Sequence, residues 1–134
     1  MACTTKYIES TKCLIRVWSG VVTVNDLATS YLGILQIVNQ GKNISGMLTD
    51  FTGVTENDVR IVDVLKIANS TKILSSIMPD MFFVVVAPDP STIDLVNIWK
   101  AIALQIGWSI HVVETQEQAE SWLCHKLGIS SIYD

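Results

Sequence analysis

The stretch Met81-Phe82-Phe83-Val84-Val85-Val86-Ala87 decides the fold. An unbroken apolar run of this length predicts a β-strand covered on both faces, because a strand with one face in water alternates apolar and polar residues. Such strands lie in the middle of parallel sheets, and parallel neighbours are joined by crossover segments that are usually helices. Strands and helices are therefore expected to alternate on either side of it.

The chain after this strand shows that alternation. Pro88-Asp89-Pro90 predicts a turn, and Ser91-Thr92-Ile93-Asp94 predicts the start of a helix that ends at Gly107. The core stripe of this helix consists of four apolar residues at helical spacing: Leu95, Trp99, Ile102 and Ile106. A last strand over Trp108–Val113 and a last helix capped by Thr115-Gln116-Glu117-Gln118 follow.

The chain before it begins with a predicted β-hairpin, formed by Lys6–Glu9 and Lys12–Trp18 and stopped by Ser19-Gly20. Thr23-Val24-Asn25-Asp26 resembles a capping box and predicts a helix, which Gly41 ends.

The next unit is a strand from Ile44 to Phe51 and a loop at Thr52-Gly53. Thr55-Glu56-Asn57-Asp58 then resembles a second capping box and predicts the start of another helix. Four apolar residues are predicted to form the core stripe of that helix: Ile61, Val64, Leu65 and Ala68.

The predicted order ββαβαβαβα defines an α/β sandwich with a mixed, mostly parallel sheet of about five strands. We interpret residues 1–134 as one domain, since the connections are short.

Composition excludes several functions. A formal net charge of −4 without a Lys/Arg cluster argues against nucleic-acid binding. The longest apolar run, Met81–Ala87, is too short to insert in a membrane, which needs about 20 residues. Cys3, Cys13 and Cys124 are odd in number and widely spaced, which favours reduced thiols and a cytoplasmic location.

No catalytic or cofactor motif is present. The sequence lacks GxGxxG, GxxxxGK[ST], GxSxG and HExxH, and we predict no metal, no cofactor and no enzymatic activity. His111 lies in a predicted strand and His125 in the last turn of a predicted helix, and both are interpreted as structural. A hydrolase using Cys13 or Cys124 is the least favoured alternative.

The best candidate site lies where strands end. Asp50 ends a predicted strand, and Thr52 and Thr55 follow it towards a helix start. Asp89 and Ser91 follow the next strand and are expected on the same edge of the sheet, where α/β proteins bind ligands. Helix capping alone is the competing interpretation of Thr55 and Ser91.

Together these elements resemble the STAS/SpoIIAA-like family of small bacterial proteins. The resemblance covers nearly the whole chain and is carried, in order, by four stretches: Leu14–Leu27, Leu48–Thr55, Val85–Asp89 and Glu114–Leu123.

The resemblance implies a non-catalytic βα core that, in anti-sigma-factor antagonists, binds a regulatory protein partner and is switched by phosphorylation. Those antagonists carry an Asp-Ser-Ser-Gly-like motif after the middle strand, whereas this chain has Glu56-Asn57-Asp58-Val59-Arg60. Thr52 and Thr55 are the nearest hydroxyls, and neither falls clearly on the family's serine. The related CRAL-TRIO lipid-transfer proteins use a comparable fold to hold apolar ligands.

Some apolar residues of the predicted third helix lie outside its core stripe, which indicates that a partner covers them. On the helix from Thr92 to Ile106, Ile93 and Leu104 lie roughly opposite the core stripe, near Lys100. We therefore predict a non-enzymatic protein-interaction or regulatory module that forms a homodimer with this helix at the interface. The alternative is a binder of a lipid-like or other small apolar ligand.

Overall fold

The structure, a computed structural model, describes residues 2–133. One sheet contains the five strands of this range: β1 Cys3–Ile8, β2 Cys13–Thr23, β3 Gly46–Asp58, β4 Phe82–Val86 and β5 Ser109–Val113. The four α-helices of the same range are α1 Val24–Asn39, α2 Ile61–Ile77, α3 Pro90–Ala103 and α4 Gln116–Leu127. A single 3₁₀ turn, Leu104–Ile106, follows α3.

The strand order in the sheet is β1-β2-β3-β4-β5. β1 is antiparallel to β2, and all other neighbours are parallel, so the predicted mixed, mostly parallel α/β sheet is confirmed. β4 lies between β3 and β5, as the apolar run from Met81 predicted.

Two layers of helices cover the sheet. The crossover helices α1, α2 and α3 pack on one face and form the larger core with Leu14, Met47 and Phe83. α4 covers the opposite face, where it packs on Cys13 and Leu48. Because neighbouring strand residues point to opposite faces, β2, β3 and β4 are buried on both sides, which accounts for much of the 49% hydrophobic content.

Two predicted boundaries are wrong, for one shared reason. β2 does not stop at Ser19-Gly20, and β3 does not stop at Phe51, because the two strands stay paired up to Thr23 and Asp58. β4 pairs with β3 only as far as Asp50, so the last part of the pairing projects past the sheet. We call it the β2–β3 ribbon, Ser19–Thr23 paired with Gly53–Asp58.

The ribbon also displaces the predicted start of α2. Thr55 lies in β3 and caps no helix. α2 begins at Ile61 instead, and the Asp63 carboxylate accepts a hydrogen bond from the Arg60 backbone N–H at 3.0 Å. Pairing between strands satisfies many backbone groups at once, so it outweighs a capping motif that can satisfy two.

Two further details differ from the prediction. Asp89, not Ser91, is the N-cap of α3, and its carboxylate accepts the Thr92 backbone N–H at 3.0 Å. Ile61 and Leu65, predicted to face the core, are 60% and 49% exposed. The capping boxes predicted at Thr23 and Thr115 are confirmed.

Glycine-to-alanine substitutions should separate close packing from backbone freedom. A Cβ at Gly53 would lie 2.9 Å from the Trp18 carbonyl oxygen, so Gly53→Ala is expected to lower the free energy of unfolding by about 1–3 kcal/mol. Gly33, in the middle of α1, has nothing within 4 Å of the same position. Gly33→Ala should therefore raise stability by about 0.5–1 kcal/mol. Urea denaturation measures both changes in stability, and equal shifts would contradict the close approach of Gly53 to Trp18.

Candidate functional site

A cavity of about 90 Å³ lies between the helix layer and the carboxyl ends of the parallel strands. The β2–β3 ribbon forms one wall through Val22 and Val54, and α1, α2 and α3 form the other. The cavity opens to solvent and is lined mainly by apolar side chains. This edge is the one at which α/β proteins bind ligands.

Arg16 is the charged residue of this lining. It lies in β2 with only 4% of its surface exposed, although arginine is almost never buried without a partner. Its Nε and Nη2 donate to Thr49 Oγ1, at 3.3 and 2.9 Å, and its Nη1 donates to Ser30 Oγ at 2.9 Å. Its Cζ lies 5.8 Å from the ring centroids of both Tyr31 and Phe83. The guanidinium thus ties β2 to β3 and α1.

The charge of Arg16 is not neutralised by residues 2–133. No Asp or Glu side chain in this range lies within 4.0 Å of its nitrogens. Burial raises the pKa of Tyr31, so that side chain is a neutral phenol at neutral pH. Burial also lowers the pKa of Arg16, but a guanidinium stays protonated in proteins. The cavity therefore contains a buried positive charge.

Three helices are joined beneath the cavity by one hydroxyl. Thr71 Oγ1, on α2, accepts a hydrogen bond from Trp99 Nε1 at 3.0 Å and donates to the Ile67 carbonyl at 2.9 Å. The Tyr31 hydroxyl lies 2.9 Å from the same oxygen. Because the single Thr71 proton goes to Ile67, Tyr31 is the donor in that pair. These bonds hold α1 and α3 at fixed positions relative to α2.

Asp50, Thr52 and Thr55 lie near the cavity in sequence but do not line it. Asp50 is buried, and its Oδ1 accepts the Thr52 backbone N–H at 2.8 Å. Thr49 and Phe51, on either side of Asp50, line the cavity, so strand alternation turns Asp50 towards α4. Thr52 and Thr55 are exposed on β3.

Asp89 and Ser91 lie at the start of α3. Ser91 Oγ donates to Asp89 Oδ2 at 2.7 Å, and Thr92 Oγ1 donates to Asp89 Oδ1 at 2.8 Å. These hydrogen bonds lower the pKa of Asp89, whose carboxylate is occupied by its capping role. Thr92 lines the cavity, while Asp89 and Ser91 do not.

The three predicted interface residues differ in exposure. Ile93 packs partly against the larger core, Lys100 is half-buried, and Leu104 is 59% exposed just after α3. More exposed apolar surface lies on the neighbouring helix α2, which presents five of the ten exposed large hydrophobic residues of the described chain: Ile61, Val62, Leu65, Ile73 and Ile77.

The residues first considered for catalysis do not converge. Burial raises the pKa of the Cys3 and Cys13 thiols, which disfavours the reactive thiolate. His111 stacks on Trp122 with ring centroids 5.3 Å apart, and burial lowers the pKa of its imidazole. Residues 2–133 contain no group of three side chains placed to hold a metal ion. None of the helices in that range is both long and apolar enough to cross a membrane.

The sheet order, the single antiparallel edge and the division of helices between the two faces define the chain as a protein with the STAS fold. The solved structure of the anti-sigma factor antagonist SpoIIAA in its unphosphorylated form matches it with a TM-score of 0.56. The match covers 91% of this chain and 97% of that one, at 13% sequence identity. No protein-family model and no curated protein matches the sequence.

In the SpoIIAA-like antagonists, the resemblance placed the phosphorylated serine after the middle strand, where α2 begins in this chain. α2 starts with Ile61-Val62-Asp63, so this turn contains no hydroxyl side chain.

Proposed function

We propose that the protein is a non-enzymatic interaction module, one STAS-like domain over residues 1–134, that associates with a second copy of itself. The observation that carries this proposal is the apolar outer face of α2. α2 buries Val64, Ala68 and Leu74 against the core, while its outer face exposes apolar side chains such as Ile73, at 61%, beside the polar residues Lys66, Asn69 and Lys72. Exposed apolar residues that lie together on one face are typical of a surface that a partner covers.

The arrangement of this face favours a second copy over an unrelated partner. Ile61 and Leu65 precede Asn69 at spacings of four, and Ile73 and Ile77 follow it at the same spacings. A twofold axis at Asn69 would place Leu65 against Ile73 of the second copy and Ile61 against Ile77, with the two Asn69 side chains facing each other at the centre. A surface that is complementary to itself is what a symmetric dimer requires.

The structural neighbour supports the regulatory part of the proposal. It is an anti-sigma factor antagonist, so its fold serves recognition of another protein. Cys3, Cys13 and Cys124 are unpaired, which supports a reducing, cytoplasmic location.

Sedimentation velocity tests the association. Between 1 and 100 μM, roughly the range in which weak dimers form, we expect a species of twice the 14.8 kDa chain mass. The double variant Leu65→Asp/Ile73→Asp should be monomeric, because each copy would have to bury two unpaired carboxylates. Its circular dichroism should match the wild type, since both side chains are exposed in the single chain.

Two controls locate the interface. Val21, 49% exposed on the β2–β3 ribbon, lies outside the helix layer, so Val21→Asp should leave the dimer intact. Leu104→Asp tests the end of α3. A monomeric wild type would overturn the proposal, and so would a dimer that Leu104→Asp dissociates while the α2 double variant does not.

The cavity favours a second candidate function, binding of a small apolar ligand. Its lining combines apolar side chains with few polar groups, as in ligand sites generally, and it is open to solvent. Native mass spectrometry of protein purified from its own cells should show a bound small molecule that denaturation releases. A mass equal to the bare chain in every preparation would count against it.

A further inference from the structure

We propose that the cavity binds an apolar carboxylic acid in its ionised form and that the carboxylate pairs with the guanidinium of Arg16. This inference rests on the second candidate function and names the ligand's chemical class. Its starting point is the buried charge of Arg16, which has hydroxyl groups as its hydrogen-bond acceptors and no carboxylate within reach among residues 2–133.

Among residues 2–133, two of the N–H donors of Arg16 have no hydrogen-bond acceptor. A guanidinium has five N–H groups, one on Nε and two on each Nη. Nε and Nη2 each make one bond to Thr49, and Nη1 makes one bond to Ser30. One N–H therefore remains on each Nη. The terminal edge of a guanidinium, with one N–H from each Nη, is an arrangement that binds the two oxygens of a carboxylate.

The number of charges favours a carboxylate over a phosphate. Arg16 supplies one positive charge, and the other lining residues supply none. A carboxylate would cancel this charge, whereas a phosphate dianion would leave an excess negative charge in an apolar space, which is costly.

The rest of the lining fits the remainder of such an acid. Leu27, Phe51, Val85, Leu95 and Val96 surround the space with hydrocarbon and an aromatic ring. The cavity, about 90 Å³, has room for a short apolar group, and its open mouth lets the rest of a tail or ring extend towards solvent. The class is thus a small monocarboxylic acid with an aliphatic or aromatic tail.

Matched acids and amides test this directly on the intact chain. Phenylacetate and phenylacetamide, and hexanoate and hexanamide, differ in charge but hardly in shape. Titrations followed by two-dimensional ¹H–¹⁵N NMR should give each acid a dissociation constant about 10- to 100-fold lower than its amide, because hydrogen bonds between charged groups are the stronger ones. The shifted signals should include the indole N–H of Trp99, which lines the cavity.

Two variants show which arginine is responsible. Arg16→Met should weaken binding of the acid much more than binding of the amide, so that the preference for the acid is lost. Arg60→Met is the matched control, because the Arg60 side chain is 80% exposed and does not line the cavity, and it should keep the wild-type preference. The acid-to-amide ratio in the wild type stands on its own if Arg16→Met does not fold.

Each outcome has one meaning. Equal affinities for acid and amide would overturn the carboxylate proposal and leave apolar ligand binding standing. Absence of binding by all four compounds at millimolar concentration would overturn the carboxylate proposal and count against the second candidate function as well. An acid preference that survives in Arg16→Met would place the anion elsewhere and overturn the assignment to Arg16.

Discussion

Replacing Thr49 by valine is expected to lower the free energy of unfolding by about 3 kcal/mol, because it leaves a buried charged group without two of its hydrogen bonds. Thr49 Oγ1 accepts from both Nε and Nη2 of Arg16, and both residues are buried. Valine has nearly the same shape as threonine, so the loss measures the hydrogen bonds rather than a cavity.

The double variant Arg16→Met/Thr49→Val should recover most of that loss. Once the charge is gone, the methyl group that replaces the Thr49 hydroxyl lies beside another apolar side chain, and a buried ion replaced by apolar groups of similar volume often costs little. Urea denaturation of the two single variants and the double variant provides the cycle. Additive losses would show that the Thr49 hydroxyl does not act through Arg16.

The second large effect concerns the other face of the sheet. Leu123, on the inner side of α4, is fully buried, and Leu123→Ala is expected to lower the free energy of unfolding by about 3–4 kcal/mol through lost burial and the space left behind. The space that Leu123→Ala leaves is hard to fill, because the facing residue of β3 is Gly46, which has no side chain to move into it. A Cβ added at Gly46 would lie only 3.1 Å from Leu123 Cδ2.

Leu127 provides the comparison. It contacts the same glycine but is only half-buried, so Leu127→Ala should cost clearly less. Thermal and urea denaturation of both variants would reveal the difference. Equal small losses would mean that α4 packs loosely on the sheet.

The fold was predictable wherever local pattern and tertiary structure agree. The apolar run from Met81 identified a central strand, and the motifs at Thr23 and Thr115 identified two helix starts. Prediction failed at Thr55, because the pairing of β3 with β2 joins residues more than 30 positions apart and no local pattern reports it.

The candidate site was predicted at the edge of the sheet where the cavity lies, but the residues that line the cavity were not predicted. The edge at the carboxyl ends of the strands is where the cavity lies, yet Asp50 and Ser91 are turned away from it or engaged in a cap. Arg16 was missed, although a signal was present: it shares one strand face with Leu14 and Trp18, where a charge must be buried. The oxygens that accept its hydrogen bonds belong to Ser30 and Thr49, which are distant in the sequence, so no local pattern predicts them.

The order of the sheet also affects how the protein is made. Each strand pairs with the strand before it in the chain, so the growing polypeptide can add β3, β4 and β5 in turn as it leaves the ribosome. α4 follows β5 in the chain but packs on residues of β2, β3 and β4, which have been made earlier. Until α4 has formed, Leu48 and Val84 are exposed on the face that it covers, and we expect newly made chains to aggregate most readily at that stage of synthesis.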